Sequence, residues 1–208
     1  MNLSLLAEQI AQQDAVEWLG LAFGILYVVL ATYEKPACWI FGILSSACIA
    51  WKSITDYKLI ADAMLQLFYM GIGVYGLILW YHGNESQGKK PITFSPWQSH
   101  LRAIIICLVI SAPLSWLLVH YADARYGYID TLLTSLSVWT TFLLIRKDLY
   151  NWVYWIGIDI VYVILYWKSD GVLFAMLFFM YTVISIWGLR QWKQSLKEGN
   201  YVRNIEPL

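Results

Sequence analysis

The sequence predicts an all-α integral membrane protein: seven transmembrane helices in a 3+1+3 arrangement, two parallel three-helix repeats joined by a linking helix. Three observations lead there. The chain is 60% hydrophobic and only 13% charged, where a soluble domain carries about a quarter charged residues. Its apolar residues fall into seven runs set against the ~20 residues a helix needs to cross a bilayer, the second and sixth being short for a span. The two ends of the chain also repeat one another in residue type and in spacing.

Composition excludes several classes. A net charge of zero gives no basic footprint for nucleic acid. Cys38, Cys48 and Cys107 stand far apart in apolar runs, and His82, His100 and His120 lie at or near segment ends. Neither set has the spacing of metal ligands, so no metal or cofactor is expected. There is no G-x-S-x-G element and no histidine near an interior serine, so the chain is not read as an enzyme.

In chain order, residues 1–16 are an N-terminal periplasmic segment. Its Leu3, Leu6 and Ile10 either form a short amphipathic turn at the membrane surface or belong to a frayed tail. The segment lacks the basic start and small-residue cleavage site of a signal peptide. Residues 17–81 hold the first repeat, with spans near 17–33, 37–52 and 59–81. Residues 82–128 hold the polar, Gly- and Pro-punctuated loop HGNESQGKKPITFSPWQSH and a linking helix at 101–121. Residues 129–191 hold the second repeat, with spans near 129–145, 150–167 and 171–191, and residues 192–208 form a cytoplasmic tail.

Lys and Arg set the orientation. Lys35, Lys89, Lys90, Arg102, Arg146, Lys147, Arg190, Lys193, Lys197 and Arg203 fall on one side of the membrane, and only Lys52, Lys58, Arg125 and Lys168 on the other. The richer side is the cytoplasm, which places the C-terminus inside and, with seven spans, the N-terminus outside.

The repeat is visible as constant offsets. Trp39, Trp51, Lys52 and Ser53 match Trp155, Trp167, Lys168 and Ser169 at one offset. Tyr69, Gly76 and Trp80 match Tyr181, Gly188 and Trp192 at a second, after four residues are lost from the second copy's loop. One linking helix lets both units enter the membrane from the same face, and two such bundles form a site between them near the midplane. That is a carrier's layout.

The residues with chemistry to offer centre on WVYWIGIDIVYVILY. As a helix it gathers Trp152, Trp155, Asp159, Tyr162 and Tyr166 on one face. An aspartate at the centre of a membrane helix costs about 2.5–3.5 kcal/mol, so Asp159 marks a site unless it only ties helices together. In the repeat frame its counterpart is Ile43, so the carboxylate has no symmetric mate. Trp155 is read as ligand-facing; Trp152 is either that or part of the interfacial belt. Two aromatic faces, each giving about 0.5–2 kcal/mol with a desolvated cation, and one carboxylate would clamp a flat cationic heterocycle. In the third span Asp62, Gln66 and Tyr69 share a face. Gln66 lies in an apolar run and needs partners there, from a substrate or from a neighbouring helix. Trp39, Tyr69 and Trp139 complete the candidate aromatic lining, each also explicable as core.

These residues resemble the PnuC-type family of nicotinamide riboside transporters and their thiamine-transporting relatives. The W-x-x-W-x-x-x-N/D signature of that family is similar to Trp152, Trp155 and Asp159 preceded by RKDLYNW, and AMLQLFYMGIGVYGLILW is a second matching segment. The resemblance spans about Glu17 to Trp192. It implies a 3+1+3, SWEET-like fold in the bacterial inner membrane and facilitated diffusion of a vitamin that a cytoplasmic kinase then traps by phosphorylation. It implies substrate-binding roles for Trp152, Trp155, Asp159 and Gln66, while Tyr69, Tyr162, Trp39 and Trp139 rest on the reading above. The expected partners are that small molecule and the lipid bilayer, and a homo-oligomer is compatible with the sequence. Because nicotinamide riboside transporters place asparagine where Asp159 stands, the expected substrate is thiamine, with nicotinamide riboside the alternative. A receptor or scaffold that binds without transport is the alternative of another class.

Overall fold

Asp14 starts the first long helix. Its carboxylate accepts from Val16 N (2.9 Å) and Glu17 N (3.0 Å), while Glu17 Oε2 accepts from Asp14 N (2.8 Å), a capping box that satisfies backbone donors the helix itself leaves open. In the computed structural model, which describes residues 3–56, 60–82, 91–121 and 127–197, the helices are α1 Leu3–Gln12, α2 Ala15–Thr32, α3 Cys38–Thr55, α4 Ile60–His82, α5 Trp97–Tyr121, α6 Gly127–Ile145, α7 Tyr150–Lys168 and α8 Val172–Lys197. The protein is all-α among the described residues apart from a single β-bridge.

Helices α2 to α8 stand where the seven spans were expected. Six of them are long and apolar enough to cross a membrane. The exception is α7, whose 19 residues suffice in length but include Asn151, Asp159, four Tyr and three Trp.

The ends of several elements differ from expectation. Residues 3–12 form a helix, α1, inside the N-terminal segment. The loop is shorter than 82–100, because α5 begins at Trp97 instead of 101. Helix α8 runs to Lys197, past the expected end at 191 and into the tail. Residues 83–90 of the loop, 198–208 of the tail, and Lys58, Lys89, Lys90, Arg125 and Arg203 lie outside the described residues.

Two compact units are present: Met1–Lys90 with Asp159–Trp192, and Pro91–Ile158 with Lys193–Leu208. In the first, α3 packs against both α2 and α4. In a bilayer such contacts depend on close packing and hydrogen bonds, since lipid is as apolar as leucine. Glycine supplies the closeness. A methyl group on Gly76 would lie 2.6 Å from the Trp39 ring, and one on Gly73 would lie 2.7 Å from Ile43 Cγ1. Trp39 meets Trp80 edge-on at 5.6 Å between ring centres, Trp80 lies 6.4 Å from Trp192, and Trp192 Nε1 donates to Ala31 O at 3.2 Å. At the other end of the unit Lys52 Nζ bridges Asp14 Oδ2 (2.7 Å) and the Asp56 carboxylate. Gln9 of α1 donates to Asp170 O (2.6 Å) and accepts from Leu173 N (2.9 Å), which gives a donor at the start of α8 its acceptor.

In the second unit α5 packs on α6, and the turn into α7 is built on Asp148. That residue is fully buried. Its carboxylate accepts from Ser95 N (2.6 Å) and Tyr150 N (2.9 Å), while Thr93 bonds to Lys147 O and Leu149 N on either side. Residues 91–96 are thereby tied to the start of the helix that carries Trp152. Burial pushes the Asp148 carboxyl above its ordinary value, against the lowering effect of the Ser95 and Tyr150 donors.

Candidate functional site

Helix α7 carries several of the candidate residues. Trp152, Trp155 and Asp159 recur along it at i, i+3 and i+7, one face of a single helix. Trp152, in the first turn, is buried, and Trp155 is half-buried.

Asp159 and its surroundings belong to the first unit. The carboxylate is 3% exposed and takes a hydrogen bond from the Ser185 hydroxyl of α8, itself 1% exposed. Tyr181, one turn before Ser185, is within electrostatic reach of the same carboxylate. Its hydroxyl lies over Gly24 of α2, where a methyl group would come within 2.7 Å of it and within 3.3 Å of Ser45 Oγ. Ser45 in turn donates to Gly20 O at 2.8 Å. The Tyr181 and Ser45 hydroxyls therefore meet at Gly24 of α2, and the Asp159 carboxylate with its Ser185 donor lies within electrostatic reach of that Tyr181. Such a group can accept and donate to a polar, cationic solute.

Tyr162 lies next along α7. Its ring stacks on Phe178 at 4.6 Å, and Phe178 in turn on Tyr166 at 5.5 Å, with Phe174 beyond at 5.3 Å from Tyr166. On α4, Gln66 Nε2 donates to Asp62 Oδ1 at 3.4 Å, and Asp62 is also bonded by the buried Ser53 hydroxyl of α3. Tyr69 is close to Tyr27 of α2. Trp39 is packed among Tyr27, Gly76 and Trp80, away from Asp62 and Gln66 along its own helix pair. An apolar groove of about 460 Å³ lined by Trp18, Val163, Trp167, Leu173 and Met176 contains none of these candidates.

In the second unit, Trp139 of α6 lines a cavity of about 380 Å³ with Ser99, Arg102, Ser135 and Phe142. Tyr154 of α7 places its hydroxyl 3.3 Å from His100 Nδ1.

The sequence profile of a family described as "Nicotinamide mononucleotide transporter" matches residues 14–194. The chain belongs to that family. It is thus a member of a multi-pass membrane transporter family rather than an enzyme family, and the PnuC-type resemblance holds. Family relatives include the nicotinamide riboside transporter PnuC of Escherichia coli, 22% identical over 88% of this chain and 87% of its own length. That of Haemophilus influenzae is 24% identical over 90% and 84%, and that of Neisseria mucosa 24% identical over 84% and 70%. The fold agrees with a crystal structure of the vitamin B3 transporter PnuC at a TM-score of 0.68, with 21% identity, covering 93% of this chain and 87% of that one.

Within the family match, Ser185 of the polar group escaped the sequence reading, and Tyr181 entered it only as a repeat marker. Ser185 looks unremarkable in FFMYTVISIWG, but the offsets expected of a repeat carry a signal. Gly73 is the counterpart of Ser185, as Ile43 is of Asp159, and Gly73 and Ile43 touch. In the expected repeat frame, the offsets that relate Ile43 and Gly73 to Asp159 and Ser185 set a carboxylate and a hydroxyl where the first pair is apolar. Ser53, the partner of Asp62, was noticed only as a repeat marker.

Proposed function

We propose that this chain carries nicotinamide riboside across the bacterial inner membrane by facilitated diffusion, with a cytoplasmic kinase trapping the product of transport. The observation that carries the reading is Asp159: a buried carboxylate on the aromatic face of α7, in a chain whose relatives from three organisms are nicotinamide riboside transporters. The substrate is a fixed cation on a flat ring joined to a sugar. Trp155 and Tyr162 offer faces to the ring, and Asp159, Ser185 and Tyr181 offer acceptors and donors to charge and hydroxyls. Trp152, Gln66, Tyr69, Trp39 and Trp139 are assigned to the lining or its support.

This reverses the preference for thiamine. That preference rested on an aspartate where asparagine was expected, but both vitamins are cationic aromatics and charge does not separate them. The named relatives all favour the riboside. Binding calorimetry on the purified protein decides: nicotinamide riboside should bind more tightly than thiamine, and the opposite order restores thiamine. Flux into proteoliposomes separates a carrier from a receptor that binds without transport.

The proposed architecture is seven spans in a 3+1+3 order, N-terminus in the periplasm and C-terminus in the cytoplasm. Matched contacts in the two repeats support it: Ile43 against Gly73 in one, Asp159 against Ser185 in the other. The counterparts Trp80 and Trp192 also meet, 6.4 Å apart. Reporter fusions at both termini test the orientation, and a periplasmic C-terminus would refute it.

A further inference from the structure

Buried residues recur at every fourth position along α5, at Ala103, Cys107, Ser111 and Ser115, and α6 is the helix that α5 packs on. Beside that edge the two helices enclose the cavity of about 380 Å³ lined from Ser99 and Arg102 to Ile110 on α5 and from Phe142 to Ser135 on α6. Ile106 and Ile110 line it while each stays 56% exposed, so the cavity is a groove open along its side. Both lie within the apolar span of α5, where an open side faces hydrocarbon. From Arg102 to Ile110 the helix rises about 12 Å, close to the ~15 Å depth of one leaflet's hydrocarbon.

The groove is basic at one end. Arg102 is exposed and lies inside the apolar window Trp97–Leu117, so its guanidinium reaches back toward the headgroups. Arg146, also exposed, stands one turn past Phe142 on α6, its N–H donating to Phe142 O at 3.1 Å. Both arginines therefore belong to the same end, and none of the described lining residues is acidic. Two guanidiniums at the head of an apolar groove are complementary to a phosphate that carries a hydrocarbon tail.

We propose that the α5–α6 groove binds an anionic phospholipid, with its phosphate on Arg102 and Arg146 and one acyl chain laid along Ile106 and Ile110. A zwitterionic lipid has the same tails, but it brings a cation of its own beside the two guanidiniums. The site therefore prefers phosphatidylglycerol to phosphatidylcholine.

Native mass spectrometry of the full-length protein in detergent, with the two lipids added in equal amounts, tests this. The wild type should retain phosphatidylglycerol about fivefold or more over phosphatidylcholine. Arg102→Gln should cut that preference by about fivefold, the worth of one basic residue at a lipid headgroup. Arg146→Gln should act in the same direction from α6, which keeps the test open if Arg102→Gln does not fold. Ile110→Trp fills the apolar end and should weaken both lipids alike. Trp139, assigned above to the vitamin's lining or its support, also borders the groove and stays unchanged in every variant. Equal retention of the two lipids by the wild type, or a preference unmoved in both arginine variants, overturns the inference. So does an Ile110→Trp protein that keeps its lipid but loses an oligomer present in the wild type, because the groove then receives a second copy of the chain.

Discussion

An Asp159→Asn substitution keeps an oxygen to accept the Ser185 hydroxyl and removes the group able to carry charge. An aspartate at the centre of a membrane helix costs about 2.5–3.5 kcal/mol. The Ser185 bond returns about 1.5 kcal/mol of that, so the wild type bears a net cost of about 1–2 kcal/mol at this position. Asparagine should recover about 1 kcal/mol of it, a rise in Tm of roughly 2–4 °C for a chain of this size. Affinity should move the other way. Losing the acidic partner of a fixed cation should weaken nicotinamide riboside by about tenfold or more. Asp159→Ala removes the charge and the acceptor together and should lose binding at least as far, while the Ser185 hydroxyl can turn to its own helix backbone. Thermal melts in detergent and calorimetry on the same preparations check the two quantities together. A variant Asp159→Asn that melts below the wild type and binds the riboside equally well would refute the assignment, because the carboxylate would then be structural.

Three other perturbations follow from contacts already described. Gly76→Ala puts a methyl 2.6 Å from a Trp39 ring that Tyr27 and Trp80 hold in place; it should cost about 1–3 kcal/mol, and a melt indistinguishable from wild type would mean the ring yields freely. Asp148→Ala leaves the Ser95 and Tyr150 N–H groups without their acceptor at a fully buried position. Its cost should be roughly 2–4 kcal/mol, read by thermal melting, with a loss below 1 kcal/mol counting against it. Lys52 holds the Asp14 and Asp56 carboxyls below their ordinary 3.8 through its hydrogen bonds. Depressed acids stabilise above that value and lose the effect as pH falls below it, so Lys52→Met should flatten the acid limb of the Tm profile; parallel limbs in both proteins would sink the idea.

The helices were legible because apolar runs of bilayer length leave the backbone no other way to satisfy itself. Their ends were less so. Trp97, Gln98, Ser99 and His100 look like loop by polarity, yet α5 includes them, because Ser99 is buried and His100 packs on Tyr150 and Tyr154, contacts between distant segments that polarity does not reveal. The extension of α8 through Gln191 to Lys197 is made of residues that form helix well. The bridge between Thr93 and Asp148 left no trace in the sequence, because one backbone pairing between distant segments has no periodicity. At the site, Asp159 announced itself through the cost of burying it. Ser185 did not, because a serine in a membrane helix can satisfy itself on its own backbone, as Thr182 does on Phe178 O. Only the expected offsets between the two ends of the chain could have singled it out.

The bond from Trp192 to Ala31 and the bond from Gln9 to Asp170 each join residues 161 positions apart. Translation at about 5–20 residues per second therefore leaves α2 in the bilayer for roughly 10–30 s before α8 exists to meet it. Throughout that interval Gly24 faces whatever the membrane supplies instead of Tyr181. A chain stalled before α8 lacks both the Trp192 bond to Ala31 and the Tyr181 hydroxyl over Gly24, so these contacts close only after α8 has been made.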